Sequence, residues 1–180
     1  LTLRAARESI VLLKNERGTL PLRKDLKTIA VIGPNADHGR NLLGDYVAHS
    51  IPQHIVTILE GIKAQVSPAT RVLYAKGSDV WGTDKSGFAD AVKAAKSADI
   101  AVVVVGENER YSPDKGSNGE GRDVASLDLT GVQEDLIREV QATGTPTVVV
   151  LVNGRPLSII PCSSSSTGAS SALVWAELWL

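Results

Sequence analysis

Apolar positions along this chain fall into two rhythms. In "LTLRAARESIVLLKNERGTLPL", Leu3, Ala6, Ile10 and Leu13 recur at the spacing of one helix face, and a Gly-Thr-Leu-Pro exit follows, so a helix is expected there. "KTIAVIGPNAD" instead packs its apolar residues into a short β-branched run that stops at Gly33-Pro34-Asn35, the pattern of a buried strand and a tight turn. The helical rhythm returns in "TILEGIKAQVSP". Here Thr57 and Glu60 have capping-box spacing, Ile58, Leu59, Ile62 and Val66 share a face, and Pro68 ends the segment. "RVLYAKG" reads as a second strand, and "SGFADAVKAAKSA" as a helix with Phe88, Ala91, Val92 and Ala95 inward. "DIAVVVVGEN" is the clearest strand. "TGVQEDLIREVQATG" is a helix expected to open with a second capping box, Thr130 to Gln133, and to close at Gly144. "PTVVVLVNGRP" is a fourth strand and "SALVWAEL" a fifth, separated by "IIPCSSSSTGASS", whose serine run favours a linker-like surface coil.

Continuous apolar strands alternating with amphipathic helices imply a parallel sheet covered on both faces. The expected fold class is therefore α/β, a three-layer αβα sandwich with a mostly parallel sheet, and residues 1–180 are expected to form a single αβ sandwich domain. In such sheets ligands bind beyond the carboxyl ends of the strands. Those ends are Gly33-Pro34-Asn35, Lys76-Gly77, Gly106-Glu107-Asn108 and Asn153-Gly154-Arg155. The polar insertion from Gly106 to Leu129 leaves the same edge, and a loop that long inside a compact domain is either functional or disordered.

Composition narrows the partners. With a net charge of −1, the chain gives no reason to expect nucleic acid or an anionic membrane. No apolar run approaches the roughly 18–20 residues of a membrane span. One cysteine, Cys162, cannot form an internal disulfide or a cysteine metal cluster. The sequence contains no methionine, so Leu1 is not read as a translation start, and the chain is expected to be a fragment of a larger polypeptide. Arg4 to Lys14 reads as an amphipathic segment rather than a signal peptide, and localisation stays open.

Two glutamates in the insertion could carry chemistry. Glu107 lies at a strand mouth, where a carboxylate often meets a helix N-terminus or a backbone nest. Glu120 is flanked by Gly119 and Gly121, which let the backbone take unusual dihedrals and bring a side chain close to a ligand; a solvated turn without function is the alternative. "GPNADHG" lacks both the Gly-Lys-Ser/Thr ending and the G-x-G-x-x-G spacing of phosphate loops. His38, His49 and His54 do not fall at a ligand spacing, so no metal site is expected, and no cofactor is called for. Arg155, just past a strand end, is expected to pair with a loop carboxylate. No G-x-S-x-G elbow supports a serine nucleophile.

The segments "AARESIVLLKNERGTLPL", "IAVIGPNAD", "TILEGIKAQV", "FADAVKAAKSADIAVVVVGEN", "GEGRDVASLDLTGVQEDLIREV" and "PTVVVLVNGRPLSI" occur in an order that resembles the C-terminal αβ sandwich domain of family 3 glycoside hydrolases, the β-glucosidases and β-xylosidases. The resemblance covers roughly Leu3 to Ile159. It implies that Glu120, in "GEGRD" beside Arg122 and Asp123, is the general acid/base of a retaining mechanism acting on terminal β-linked glucose or xylose. Its substrate would be a β-glucoside or β-xyloside. The nucleophile would come from a separate N-terminal barrel, the domain partner, and Asp45 in "LLGDY" is read as structural. Without that barrel the chain would be inactive. Three departures stand out: Val124 where an arginine is common, Thr130 in place of a frequent proline, and the serine-rich tail in place of a Trp-containing helical stretch. The first puts the anchoring of the Glu120 loop in question. A non-catalytic carbohydrate- or protein-binding module on the same sheet is the alternative function.

Overall fold

A computed structural model describes residues 2–44, 47, 54–108, 116–159 and 170–177. Its elements, in chain order, are α1 (Thr2–Glu8), β1 (Ile10–Asn15), β2 (Thr28–Ile32), α2 (Ile58–Gln65), β3 (Arg71–Ala75), α3 (Phe88–Lys96), β4 (Ile100–Gly106), α4 (Gln133–Gln141), β5 (Thr147–Asn153) and β6 (Ser171–Glu177). The six strands form one sheet in the order β1-β6-β5-β4-β2-β3. β3, β2, β4, β5 and β6 run parallel, and β1 closes the opposite edge antiparallel to β6.

The strands are apolar throughout because both faces of the sheet are covered. Alternate residues of β2 point to opposite sides: Ala30 and Ile32 enter one core, Ile29 and Val31 the other. The first core is closed by α3 and α4 through Ala91, Ala95, Leu136, Ile137 and Val140. Leu59 of α2, with Leu20, Leu22 and Leu26 from the segment before β2, closes the second. All seven residues of β4 are buried, as its central place between β5 and β2 requires. The three-layer, mostly parallel αβα sandwich expected from the pattern is therefore the fold, with "SALVWAE" of the expected fifth strand as β6.

Two local expectations are corrected. The opening helix stops at Glu8, and Ile10 and Leu13, expected on its apolar face, belong with Val11 and Leu12 to strand β1. Ile10 pairs with Ala176 and Val11 with Trp175, and the register shifts between Leu12 and Lys14. Four consecutive apolar side chains, two of them β-branched, suit an extended edge strand better than a helix that would bury one stripe. The second correction concerns α4, whose N-cap is Val132, without a side-chain cap. The Thr130 hydroxyl donates instead to Val80 O (2.7 Å), and Gln133 turns inward. At α2 the capping box forms as expected. Thr57 Oγ1 accepts from Glu60 N, and Glu60 Oε2 accepts from Thr57 N at 2.8 Å.

Candidate functional site

The carboxyl ends of the central strands terminate in glycines that let neighbouring chains come very close. A Cβ on Gly33 would lie 2.0 Å from Val104 O, and one on Gly106 would lie 2.0 Å from Val152 O. Both residues have positive φ, +117° and +138°. Beyond them lies a layer of buried polar side chains: Asn35, Asn41, Glu107, Asn108, Ser117, Asn118 and Asn153. Such groups are stable inside a protein only when hydrogen-bonded. Asn35 Nδ2 donates to Glu107 O at 3.1 Å, and Asn35 Oδ1 accepts from Asn41 Nδ2 at 2.8 Å. Gln133 completes the layer from below: its Oε1 accepts from Gly106 N (3.0 Å) and its Nε2 donates to Gly106 O (2.8 Å). The turn after β2 thus serves internal packing. Gly33 N bonds Ala75 O, Asn35 N bonds Val104 O and Ala36 N bonds Gly33 O, so these amides of "GPNADHG" are engaged within the chain.

On this layer the polar insertion is pinched shut. Asn108 N donates to Ser117 Oγ (2.9 Å), and Asn108 O accepts from Ser117 N (2.9 Å) and Asn118 N (3.2 Å). The chain then makes a tight turn closed by Arg122 N to Gly119 O at 3.2 Å. Glu120 and Gly121 are its corner residues. Gly121, with φ +71°, supplies the left-handed residue that a type II turn needs at its third position, and Gly119 has φ +131°. The expectation that the two glycines take unusual dihedrals is met. Glu120 is exposed, so the turn presents its carboxylate at the surface of the rim.

The turn is fastened to the sheet by Arg155. Its Nη2 donates to Ser117 O (3.1 Å), Asn118 Oδ1 (3.1 Å) and Arg122 O (3.3 Å), while its Nε lies 3.3 Å from Glu107 Oε1. The expected pairing of Arg155 with a carboxylate holds, and the carboxylate is Glu107. Glu107 meets neither a helix N-terminus nor a backbone nest. Its side chain is 3% exposed, burial raises its pKa above the ordinary glutamate range, and the attraction of Arg155 opposes that rise. Farther along, Ser158 N donates to Leu127 O at 2.7 Å and Asp128 bridges Ser158, so the descending arm also rests on the exit of β5. Val124, where an anchoring arginine was missed, is exposed at 36%; anchoring comes from Arg155 instead.

Among the other sites considered, His54 is exposed and His38 half-buried, while Asp45, His49 and Cys162 lie outside the described residues. Among the described residues no three His, Cys, Asp or Glu side chains converge as a metal site would require, and no helix is long and apolar enough to cross a membrane. Sequence reasoning did not single out Ser117 and Asn118, named Asn108 only as part of a strand end and read Gln133 as a helix cap. Their one visible signal was position: polar residues directly beside strand mouths and turns.

An α/β sandwich that lifts a glycine-flanked carboxylate on a clamped turn at its strand mouths is a fold with a rim site, and comparison with known proteins gives its family. The profile of the glycosyl hydrolase family 3 C-terminal domain matches residues 10–179, and the chain belongs to that family. A β-xylosidase of Formosa agariphila is 43% identical over 164 residues, covering 87% of this chain and 22% of the relative. A periplasmic β-glucosidase of Salmonella typhimurium is 39% identical over 177 residues, covering 86% of this chain and 22% of the relative. Among solved structures, a GH3 exo-β-xylosidase in complex with a xylobiose aziridine activity-based probe superposes with a TM-score of 0.80 at 32% identity, over 97% of this chain and 21% of that one. The β-glucosidase from Listeria innocua in complex with isofagomine gives 0.79 at 28% identity, over 98% and 22%. The chain thus spans about a fifth of the length of the relatives it matches.

Proposed function

We propose that residues 1–180 form the single C-terminal sandwich domain of a retaining β-glycosidase that releases terminal β-linked glucose or xylose, with Glu120 as the general acid/base. The observation that carries this reading is the Glu120 turn itself, an exposed carboxylate between two positive-φ glycines, held by buried polar contacts at the strand mouths. That arrangement suits a group that must reach a substrate lying outside its own domain.

In the proposed cycle, the Glu120 carboxylic acid gives its proton to the departing glycosidic oxygen while a second carboxylate attacks the anomeric carbon. The glycosyl–enzyme bond then breaks as Glu120, now a carboxylate, takes a proton from the incoming water. The attacking carboxylate belongs to the N-terminal barrel, the partner across the domain interface, and the two carboxyl groups would stand about 5–5.5 Å apart in the assembled enzyme. No cofactor takes part. A chain holding only the proton donor has no nucleophile, so it is inactive by itself.

The test uses the full-length enzyme and two substrates. Glu120→Ala should lower kcat/KM by about a hundred- to ten-thousand-fold for an alkyl glycoside, whose leaving group needs a proton. A dinitrophenyl glycoside, whose leaving group does not, should keep most of its kcat/KM. Unchanged hydrolysis of the alkyl glycoside would remove Glu120 from the mechanism.

A further inference from the structure

We propose that Arg155 is a positioning residue for proton transfer, fixing the Glu120 turn in its working orientation; the inference rests on the acid/base reading above. One guanidinium joins three parts of the rim. Through Nη2 it holds the rising arm of the turn at Ser117 O and Asn118 Oδ1, and the descending arm at Arg122 O, at 3.1, 3.1 and 3.3 Å. Through Nε it faces Glu107 Oε1 at the exit of β4, and its own backbone continues β5. Glu120 therefore sits between acceptors that share a single donor atom.

The chemistry of the two side chains suits this task. An arginine fork is planar and permanently charged, and it can aim separate N–H groups at acceptors on different segments, which a lysine ammonium on a flexible stem cannot do with the same geometry. Its burial matters as well. Arg155 is 19% exposed and Glu107 3%, so these bonds lie where water competes weakly and misplacement is costly. When ionised, Glu107 offsets the guanidinium charge. The turn then gains its hydrogen bonds without a net cation close to a group that must hold a proton.

The backbone around Arg155 is shaped to the same end. Asn153 Nδ2 donates to the Arg155 carbonyl, fixing the strand exit. A Cβ on Gly154 would come 2.4 Å from Asn118 Nδ2, so any larger residue there would displace the Asn118 side chain from its place beside Arg155. Asn118 in turn accepts from Gly119 N at 2.8 Å with the same oxygen that receives Arg155. The chain of contacts runs from Glu107 to Arg155 to Asn118 to Gly119, and ends one residue from Glu120. None of these side chains needs to touch the sugar.

The experiment compares Arg155→Gln, Arg155→Lys and Glu120→Ala in the full-length enzyme, each with the alkyl and dinitrophenyl glycosides and with added azide. Arg155→Gln should reduce kcat/KM for the alkyl glycoside about 10–100-fold, the cost of a small misplacement of a catalytic group, and change that for the dinitrophenyl glycoside by less than about threefold. Azide should accelerate its turnover of the dinitrophenyl glycoside. Arg155→Lys, which keeps the charge against Glu107 but loses the fork, should show the same selectivity with a smaller loss, and it decides the matter if Arg155→Gln does not fold. An equal loss on both substrates without an azide effect, or no loss on either, while Glu120→Ala shows the leaving-group selectivity, overturns the positioning role alone. If Glu120→Ala itself lacks that selectivity, the acid/base reading fails and this inference fails with it.

Discussion

Asn35, in the turn after β2, donates from Nδ2 to the carbonyl oxygen of Glu107 at the exit of β4, 3.1 Å away and fully buried. That bond shows how the rim is built. Strand ends of a parallel sheet leave backbone groups without ladder partners, and here short amide side chains supply them. The polar layer is therefore structural at its base, while the Glu120 turn at its top is exposed.

Removing the Asn35 amide should be expensive. Asn35→Ala leaves Glu107 O without that donor and Asn41 Nδ2 without its acceptor, each of which costs about 1–3 kcal/mol when buried and unsatisfied. Urea unfolding of the chain should show the midpoint falling with little change in slope. A loss below about 0.5 kcal/mol would mean that the layer relaxes around the vacancy.

Two glycines with positive φ offer a controlled contrast. A Cβ on Gly33 meets Val104 O at 2.0 Å, whereas one on Gly144 (φ +79°), after α4, meets nothing within 4 Å. Gly144→Ala should cost about 1 kcal/mol from backbone conformation alone. Gly33→Ala adds a backbone clash between the central strands, and should cost more than about 4 kcal/mol or prevent folding. Thermal melts of the two variants side by side give the comparison.

Glu107 makes stability depend on pH in a defined direction. Its carboxyl is raised above the ordinary glutamate range in the folded chain, chiefly by burial, with Arg155 opposing. A group raised in this way binds its proton more tightly when folded. Its contribution is fully present below the unfolded value and is lost as pH rises through the folded value. Glu107→Gln carries no such titration. The stability of the parent relative to Glu107→Gln should therefore decline as pH rises from about 4, the unfolded value, through the raised folded value. Denaturant titrations of both proteins across that window measure it, and a difference that grows with pH would reverse the assignment.

Gly154→Ala should act on the turn. The new Cβ would press on Asn118 Nδ2 from 2.4 Å, and Asn118 carries one of the Arg155 contacts. In the full-length enzyme this substitution should lower kcat/KM for an alkyl glycoside about tenfold or more, with a far smaller effect on a dinitrophenyl glycoside. Steady-state kinetics with the two substrates separate this from simple loss of folded protein.

Much of the sandwich was legible in the sequence because its strands are buried on both faces. The run Ala101 to Val105 has no helical stripe to confuse the reading, and the expected stripes of α2 and, apart from Val92, of α3 pack on the cores. Strand β1 was hidden by coincidence. Leu3, Ala6, Ile10 and Leu13 do match a helix face, but Val11 and Leu12 fill the face that a helix would leave polar, and the partner β6 lies far along the chain. Thr130 has the spacing of a helix cap, yet its hydroxyl goes to Val80, a contact across 50 residues that no local pattern carries. At the site, the two glycines around Glu120 announced the turn, and Arg155 announced an ion pair. What the sequence lacked was the meeting of Glu107, Arg155 and Asn118, which depends on β4 and β5 lying side by side.

The most direct test of the account is to trap the glycosyl–enzyme formed by the full-length Glu120→Ala variant with azide. With a dinitrophenyl β-glycoside, the variant should accumulate the covalent intermediate and turn over slowly. Adding azide should restore turnover and yield the β-glycosyl azide, because a small anion needs no base to attack from the face that water would use. A variant that makes no glycosyl azide and hydrolyses an alkyl glycoside as fast as the parent would contradict the claim that this domain's glutamate handles the proton.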